Sequence, residues 1–387
     1  MIDVKKDIID MNGCFFLKQT DRAQEQFSYL TGDKSITKDA INSFRKNIKH
    51  NVNYCSKKNI PYCHIVFPSK MVLFKKDFEK ENIHVNSIYN SSHQLESVFY
   101  PIEILSKEEH FLNTDTHINE QGNFEIFKYL LEICNIKKKP IPYFEEVSYK
   151  GDLGEILNLS PEKTFFLKSY NKIIPHVKHY TLSNALKGNT GDLDYFLNSS
   201  SISNKRLLLF GDSFFKNSIN IYTSFFQEVI YIRNPFIIDC IANILQPDTI
   251  FTGNAERYLV TPPSVDCYRP YFSNFISCDF DTSKISKESS TALQLLLLGR
   301  SNHKFKDWLF NKRTTIPKIK MTETNVNQIN ELDVITDRDV DFCRDVAVKY
   351  ENINLPLALH LMRIAFKKRP DGEFIIKKLN EYERKVR

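Results

Sequence analysis

Paired cysteines, glycine-rich loops and long apolar runs are all missing from this chain of 387 residues. Its eight cysteines, Cys14, Cys55, Cys63, Cys134, Cys240, Cys267, Cys278 and Cys343, are scattered singly. No C-x-x-C spacing occurs, which argues against a zinc ribbon or a dithiol redox motif and leaves no metal site to expect. Several lie in apolar stretches and read as buried free thiols. No glycine-rich phosphate loop is present. The longest apolar runs, such as LQLLLLG near Leu293, fall far short of a membrane span. The opening MIDVKKDIIDMNGCFFLKQTD carries no apolar core behind its charges and no small-residue cleavage site. The expectation is a cytoplasmic protein without a membrane span.

Hydrophobic residues make up 42% and aromatics 13%, enough for a sizeable core. The length suits one large domain of about 250–300 residues and a smaller one. Lys and Arg number 53 against 47 Asp and Glu, a formal charge of +6, and they are dispersed. A solvated surface is the plain reading, with a polyanionic acceptor as the second. Nothing points to nucleic acid.

Thr37 reads as an N-cap, followed by Ile41, Phe44, Ile48 and Val52 at helical spacing. PYCHIVFPSK then reads as a short strand ending at Pro68. NEQGNFEIFKYLLEICN places Phe124, Phe127, Leu130, Leu131 and Cys134 on one helical face. KRLLLFGDS is a fully apolar strand, as in a parallel sheet covered on both sides. A helix (FFKNSINIYTSFF), a strand (EVIYIRN), a helix (FIIDCIANILQ) and a strand (PDTIFTGN) follow. This alternation predicts an α/β fold with a mostly parallel sheet. After about residue 300 the chain turns polar and irregular. Residues 320–387 hold about three amphipathic helices, with Pro370-Asp371-Gly372 breaking the last two apart. They resemble one tetratricopeptide-type pair with a capping helix. A lone pair cannot form a solenoid, so it packs on the main domain, residues 1–300, or on a partner.

The stretch LLLFGDSFF carries the first chemical question. Ser213 follows the apolar strand and precedes a helix, where reactive groups of open α/β sheets lie. Its backbone N–H would sit at a helix start, suited to negative charge. Gly211-Asp212-Ser213 is equally the composition of an ordinary turn and N-cap. Asp115 and His117 stand two apart in NTDTHINEQG, so a carboxylate can steady an imidazole there. The plain alternative is a loop capping the helix from Asn119; a metal site is another, for which the sequence offers no matched third and fourth ligand. His176 and His179 have no such acid beside them in the sequence and read as structural. Gly253-Asn254, after strand 248–252, either supplies an oxyanion donor or forms a turn.

Together these pieces resemble the SGNH/GDSL hydrolase superfamily. An Asp-x-His block ahead of the serine block is similar to alginate O-acetylation proteins of the AlgX/AlgJ type. NGCFFL with YLTG after it, KKNIPYCHIVFPSK, YKGDLGEIL, RLLLFGDSFF and PDTIFTGNAERYL match that family loosely and in order, over roughly residues 10–262. The resemblance implies an SGNH-type three-layer α/β/α sandwich and acyl transfer to carbohydrate hydroxyls. Ser213 would be the nucleophile, His117 the general base and Asp115 its orienter. The Ser213 N–H and Asn254 would be oxyanion donors. Glu256 and Arg257 match a family pair, for which an ion pair is the one physical role apparent. Where the family has Trp after the histidine, this chain has Ile118, a change that would alter acceptor packing. No carbohydrate-binding domain follows; the helical tail looks like those of capsule-assembly enzymes. The implied protein is a bacterial O-acetyltransferase of capsular polysaccharide, with acetyl-CoA as donor and no bound cofactor. Its C-terminal helices would dock other assembly enzymes. An acetyl esterase with the same triad and a non-catalytic scaffold are the rivals.

Overall fold

A computed structural model describes residues 2–5, 7–19, 25–105, 107–185, 191–267, 281–297 and 337–386. The strands are β1 (Ile2–Lys5), β2 (Ile8–Met11), β3 (Cys14–Leu17), β4 (Tyr62–Phe67), β5 (Val98–Phe99), β6 (Pro142–Tyr149), β7 (Glu162–Tyr170), β8 (Val177–Thr181), β9 (Leu193–Asn198), β10 (Ser203–Gly211), β11 (Phe226–Ile232) and β12 (Thr249–Ala255). The helices discussed are α1 (Lys38–Lys58), α2 (Glu120–Ile133), α3 (Asp152–Leu157), α4 (Ser213–Asn217), α5 (Ile219–Phe225), α6 (Asp239–Leu245), α7 (Lys287–Leu297), α8 (Asp337–Tyr350), α9 (Leu355–Lys368) and α10 (Glu373–Val386). The chain divides into two compact units, Met1–Lys312 and Arg313–Arg387.

In the first unit a seven-stranded mixed sheet runs β5-β4-β12-β10-β11-β9-β8. The five strands from β5 to β11 are parallel, and β9 and β8 add an antiparallel edge. The unbroken apolar run of β10 follows from its central place. Leu207 and Leu209 face a core shared with Phe127 of α2 and Phe225 of α5. Leu208 and Phe210 face the opposite core, shared with Cys55 of α1, Ile241 of α6 and Leu293 of α7. A strand covered on both faces has no use for polar alternation. Each fully buried Leu or Phe contributes roughly 2–3 kcal/mol. Helix α1 starts where its sequence says, with Thr37 Oγ1 accepting from Ala40 N at 3.2 Å.

Two features differ from the expected pattern. The segment after residue 213 forms two short helices, α4 and α5, instead of one. Gly253 and Asn254 do not form a turn: β12 continues through them to Ala255, pairing Gly253 with Gly211 and Asn254 with Val66. Two small sheets stand apart from the main one, β1-β2-β3 and the hairpin β6-β7. No helix among the described residues is long and apolar enough to cross a membrane.

The second unit is described from Asp337 onward as three helices around their own core, including Ala347, Leu361, Met362 and Tyr382. Asn354 caps α9 by accepting from Leu357 N at 3.1 Å. Glu351 accepts from both Lys378 Nζ and Tyr382 Oη of α10 at 2.7 Å.

Candidate active site

Ser213 lies at the carboxyl end of β10, the position open α/β sheets reserve for chemistry. Asp212 fixes the turn that presents it. One carboxylate oxygen caps α4 by accepting from Phe214 N at 3.0 Å, and the other accepts from Ala255 N at 2.6 Å. Tyr231 Oη donates to the Asp212 carbonyl at 3.0 Å. The serine turn is thus tied to both neighbouring strands. Gly211 is there for space: a Cβ would fall 2.4 Å from the Phe215 ring and 2.6 Å from the Gly253 carbonyl. Ser213 is the first residue of its helix, so its N–H has no intrahelical acceptor.

The loop between Phe111 and Ile118, which pair as an antiparallel bridge, brings the other groups. His117 Nε2 lies 2.9 Å from Ser213 Oγ, and Nδ1 lies 2.9 Å from Asp115 Oδ1. The same carboxylate oxygen accepts from His117 N at 2.8 Å. One oxygen therefore sets both the backbone and the ring of the histidine. Asp115 is only 5% exposed. Burial works against its charge, but the ring and backbone donors of His117 outweigh it, and its pKa falls below the ordinary carboxylate value. The fold thus joins Asp115, His117 and Ser213 into one hydrogen-bonded relay across 96 residues of sequence separation.

Several residues with no role assigned from the sequence hold this loop. Asp152, first in α3, accepts from Thr116 N at 2.8 Å and from the Thr116 hydroxyl. Its other neighbour is His117 Nδ1, 3.6 Å from Oδ2. Burial and the nearby Asp115 charge push the Asp152 pKa up. The same charges, with burial first, raise the Tyr149 hydroxyl to about 12. Glu162 of β7 accepts from Asn113 N at 3.1 Å, Thr114 N at 2.6 Å and the Thr114 hydroxyl. Gly151 allows the close approach of α3, since a Cβ would meet the Thr114 carbonyl at 2.3 Å. YKGDLGEIL and PSK stood out in the sequence, but which loop they brace depends on tertiary contacts.

The remaining positions make contacts of their own. Asn254 Nδ2 donates to the Ala255 carbonyl at 3.1 Å, and the side chain neighbours the buried His64. Gly253 lies beneath the Phe215 ring, 2.9 Å from where its Cβ would be. Ile118 is buried in the core. Asp115, His117 and Asp152 place one ligand atom each within 4.8 Å of one another, the donor chemistry of a cation site. Both imidazole nitrogens are already engaged, however, one by Asp115 and one by Ser213.

No family model and no curated protein matches the sequence. Solved structures align at low identity. A DHHW family protein from Eubacterium siraeum is 12% identical, covering 66% of this chain and 94% of its own, with a TM-score of 0.45. PatB1 of Bacillus cereus is 12% identical over 65% of this chain and 96% of its own, at 0.46. The O-acetyltransferase domain of Pseudomonas putida AlgJ is 14% identical over 70% and 98%, at 0.40.

Proposed function

We propose that the chain is an O-acetyltransferase that moves an acetyl group through Ser213 onto a hydroxyl of a bacterial capsular polysaccharide. The observation carrying this reading is the unbroken contact from Asp115 through His117 to Ser213, each link at 2.9 Å. A serine hydroxyl needs a base within hydrogen-bond reach, and the base needs a partner that fixes its tautomer. With Asp115 holding Nδ1–H, the free electron pair of Nε2 faces Ser213 Oγ.

In the proposed reaction, His117 Nε2 takes the Ser213 proton as Oγ attacks the donor's acetyl carbonyl. The Ser213 N–H holds the tetrahedral oxyanion. Asn254 is the second donor carried by the motif match, once its amide turns from the Ala255 carbonyl. The carbon–sulfur bond of acetyl-CoA breaks, and the thiolate leaves with the proton from His117. A sugar hydroxyl then loses its proton to His117 and attacks the acetyl-serine carbonyl; the bond from Ser213 Oγ to the acetyl carbon breaks, and His117 returns the proton to Oγ. The reaction takes place in the cytoplasm, and the C-terminal appendix, residues 320–387, docks other capsule-assembly enzymes through its tetratricopeptide-type helices, which are described from Asp337.

The test is incubation with labelled acetyl-CoA and capsular polysaccharide, beside Ser213→Ala. Serine-dependent label on the polymer is the expected outcome. Acetate release from an acetylated polymer without any transfer would make the chain an esterase instead. Inactivity in both assays across a capsular panel would leave the scaffold reading.

A further inference from the structure

Glu256 and Arg257 adjoin each other at the end of β12, yet they do not pair. The Glu256 side chain is fully buried. Its carboxylate accepts from Ser69 N at 2.8 Å, Ser87 Oγ at 2.6 Å, Tyr89 N at 3.0 Å and Tyr100 Oη at 3.1 Å. Four uncharged donors therefore satisfy that acid, and they pin the turn Glu256–Val260 onto the segments around Ser69 and Ser87. Arg257 makes no ion pair among the described residues. Its guanidinium lies 5.5 Å from the centre of the Phe214 ring and 5.0 Å from that of Tyr258. Its Nε is buried and has no hydrogen-bond partner.

Phe214 is the residue after Ser213, and the His117 ring lies 4.8 Å from the same Phe214 ring. The guanidinium and the Asp115–His117–Ser213 relay thus share one aromatic neighbour. Arg257 also lines a narrow recess with Thr116, Ser69, Phe214 and Ala255. The planar guanidinium fork matches a carboxylate or a phosphate. A buried donor left unpaired costs free energy, which an incoming oxyanion offsets. Stacking on the two rings explains where the guanidinium rests but leaves Nε unsatisfied.

We propose that Arg257 binds a carboxylate or phosphate group of a substrate of the Ser213 site. Only the word substrate rests on the acyl-transfer reading; the anion site stands on the geometry around Arg257. The anion has two sources, an acidic sugar of the acceptor polymer or a phosphate of the acyl donor.

Binding to full-length Ser213→Ala protein, measured by calorimetry, separates these. One arm compares trigalacturonate with uncharged maltotriose, and the other compares coenzyme A with phosphate-free pantetheine. At least one anionic probe should bind roughly tenfold or more tightly than its neutral counterpart. Arg257→Gln should abolish that preference and Arg257→Lys should keep part of it. The arm that shows the preference names the source. A parent protein with no preference in either arm, or a preference that survives Arg257→Gln, overturns the proposal. Circular dichroism checks that the Gln variant is folded. Should it not be, a salt series on the parent protein decides, since a preference indifferent to ionic strength also overturns it. No catalysis enters this measurement, so failure of acyl transfer would not be mistaken for failure of the anion site.

Discussion

The ammonium of Lys70 lies 3.1 Å from the carbonyl oxygen of Asp115, the residue whose carboxylate orients His117. It also donates to the carbonyls of Leu112 at 2.6 Å, Phe15 at 3.0 Å and Asn113 at 3.0 Å. Three ammonium protons serve four carbonyls, and the faces of Phe16 and Phe74 lie 5.2 and 5.8 Å away. Lys70 is 5% exposed, and burial lowers its pKa against the pull of nearby Cys14 and Asp115. Lys70→Met leaves buried carbonyls unpaired and should cost about 2–4 kcal/mol. It should also slow Ser213 acylation in the folded fraction. Denaturant unfolding beside single-turnover acylation measures both, and an unchanged midpoint would show that the ammonium is not a structural anchor.

Asp115 and Asp152 both approach His117 Nδ1, but at 2.9 and 3.6 Å they are not equivalent. Asp115→Asn should lower the acylation rate by about 10⁴, the loss expected when the imidazole tautomer is no longer fixed. Asp152→Ala frees Thr116 and should cost roughly 10–100-fold by displacing the loop. Single-turnover rates at saturating donor rank the two. A larger loss at Asp152 would make it the orienter instead.

Glu120 is buried, accepts from Asn220 Nδ2 at 3.2 Å and from Leu167 N, and has its pKa raised to about 7, chiefly by burial. Between the unfolded value near 4.5 and the folded value, the native state binds the extra proton. This group's contribution therefore favours the fold at low pH and is lost as pH rises through that window, by up to ~3 kcal/mol. Glu120→Gln should flatten the stability–pH slope between about pH 4.5 and 7 relative to the parent. Parallel curves for the two proteins would contradict the assignment.

The central strands were legible because burial on both faces leaves an unmistakable apolar run, as at Leu207–Phe210. The hairpin β6-β7 was not, because its exposed positions mix Glu145, Glu146 and Lys168 with Tyr143 and Phe165 and blur any period. Asp115, His117 and Ser213 could be singled out by residue type and order. Lys70 and Asp152 lie in stretches that stood out, but their roles, like that of Glu162, could not be read, since a buried lysine bound to carbonyls or a brace between distant loops leaves no local pattern. His179 shows the same limit: its acid, Asp194, reaches Nε2 at 2.8 Å across the β8–β9 ladder. Gly253-Asn254 fits either a turn or a donor at a strand end in isolation, but in the fold the Phe215 ring requires a glycine inside a continuing strand.

The most direct measurement is intact-protein mass spectrometry after brief exposure to an activated acetyl ester, with peptide mapping of the adduct. The account predicts one acetyl group per chain, on Ser213, absent in Ser213→Ala and formed at least ~10³-fold more slowly in His117→Ala. An adduct on another residue, or one that forms at the parent rate without His117, would contradict it.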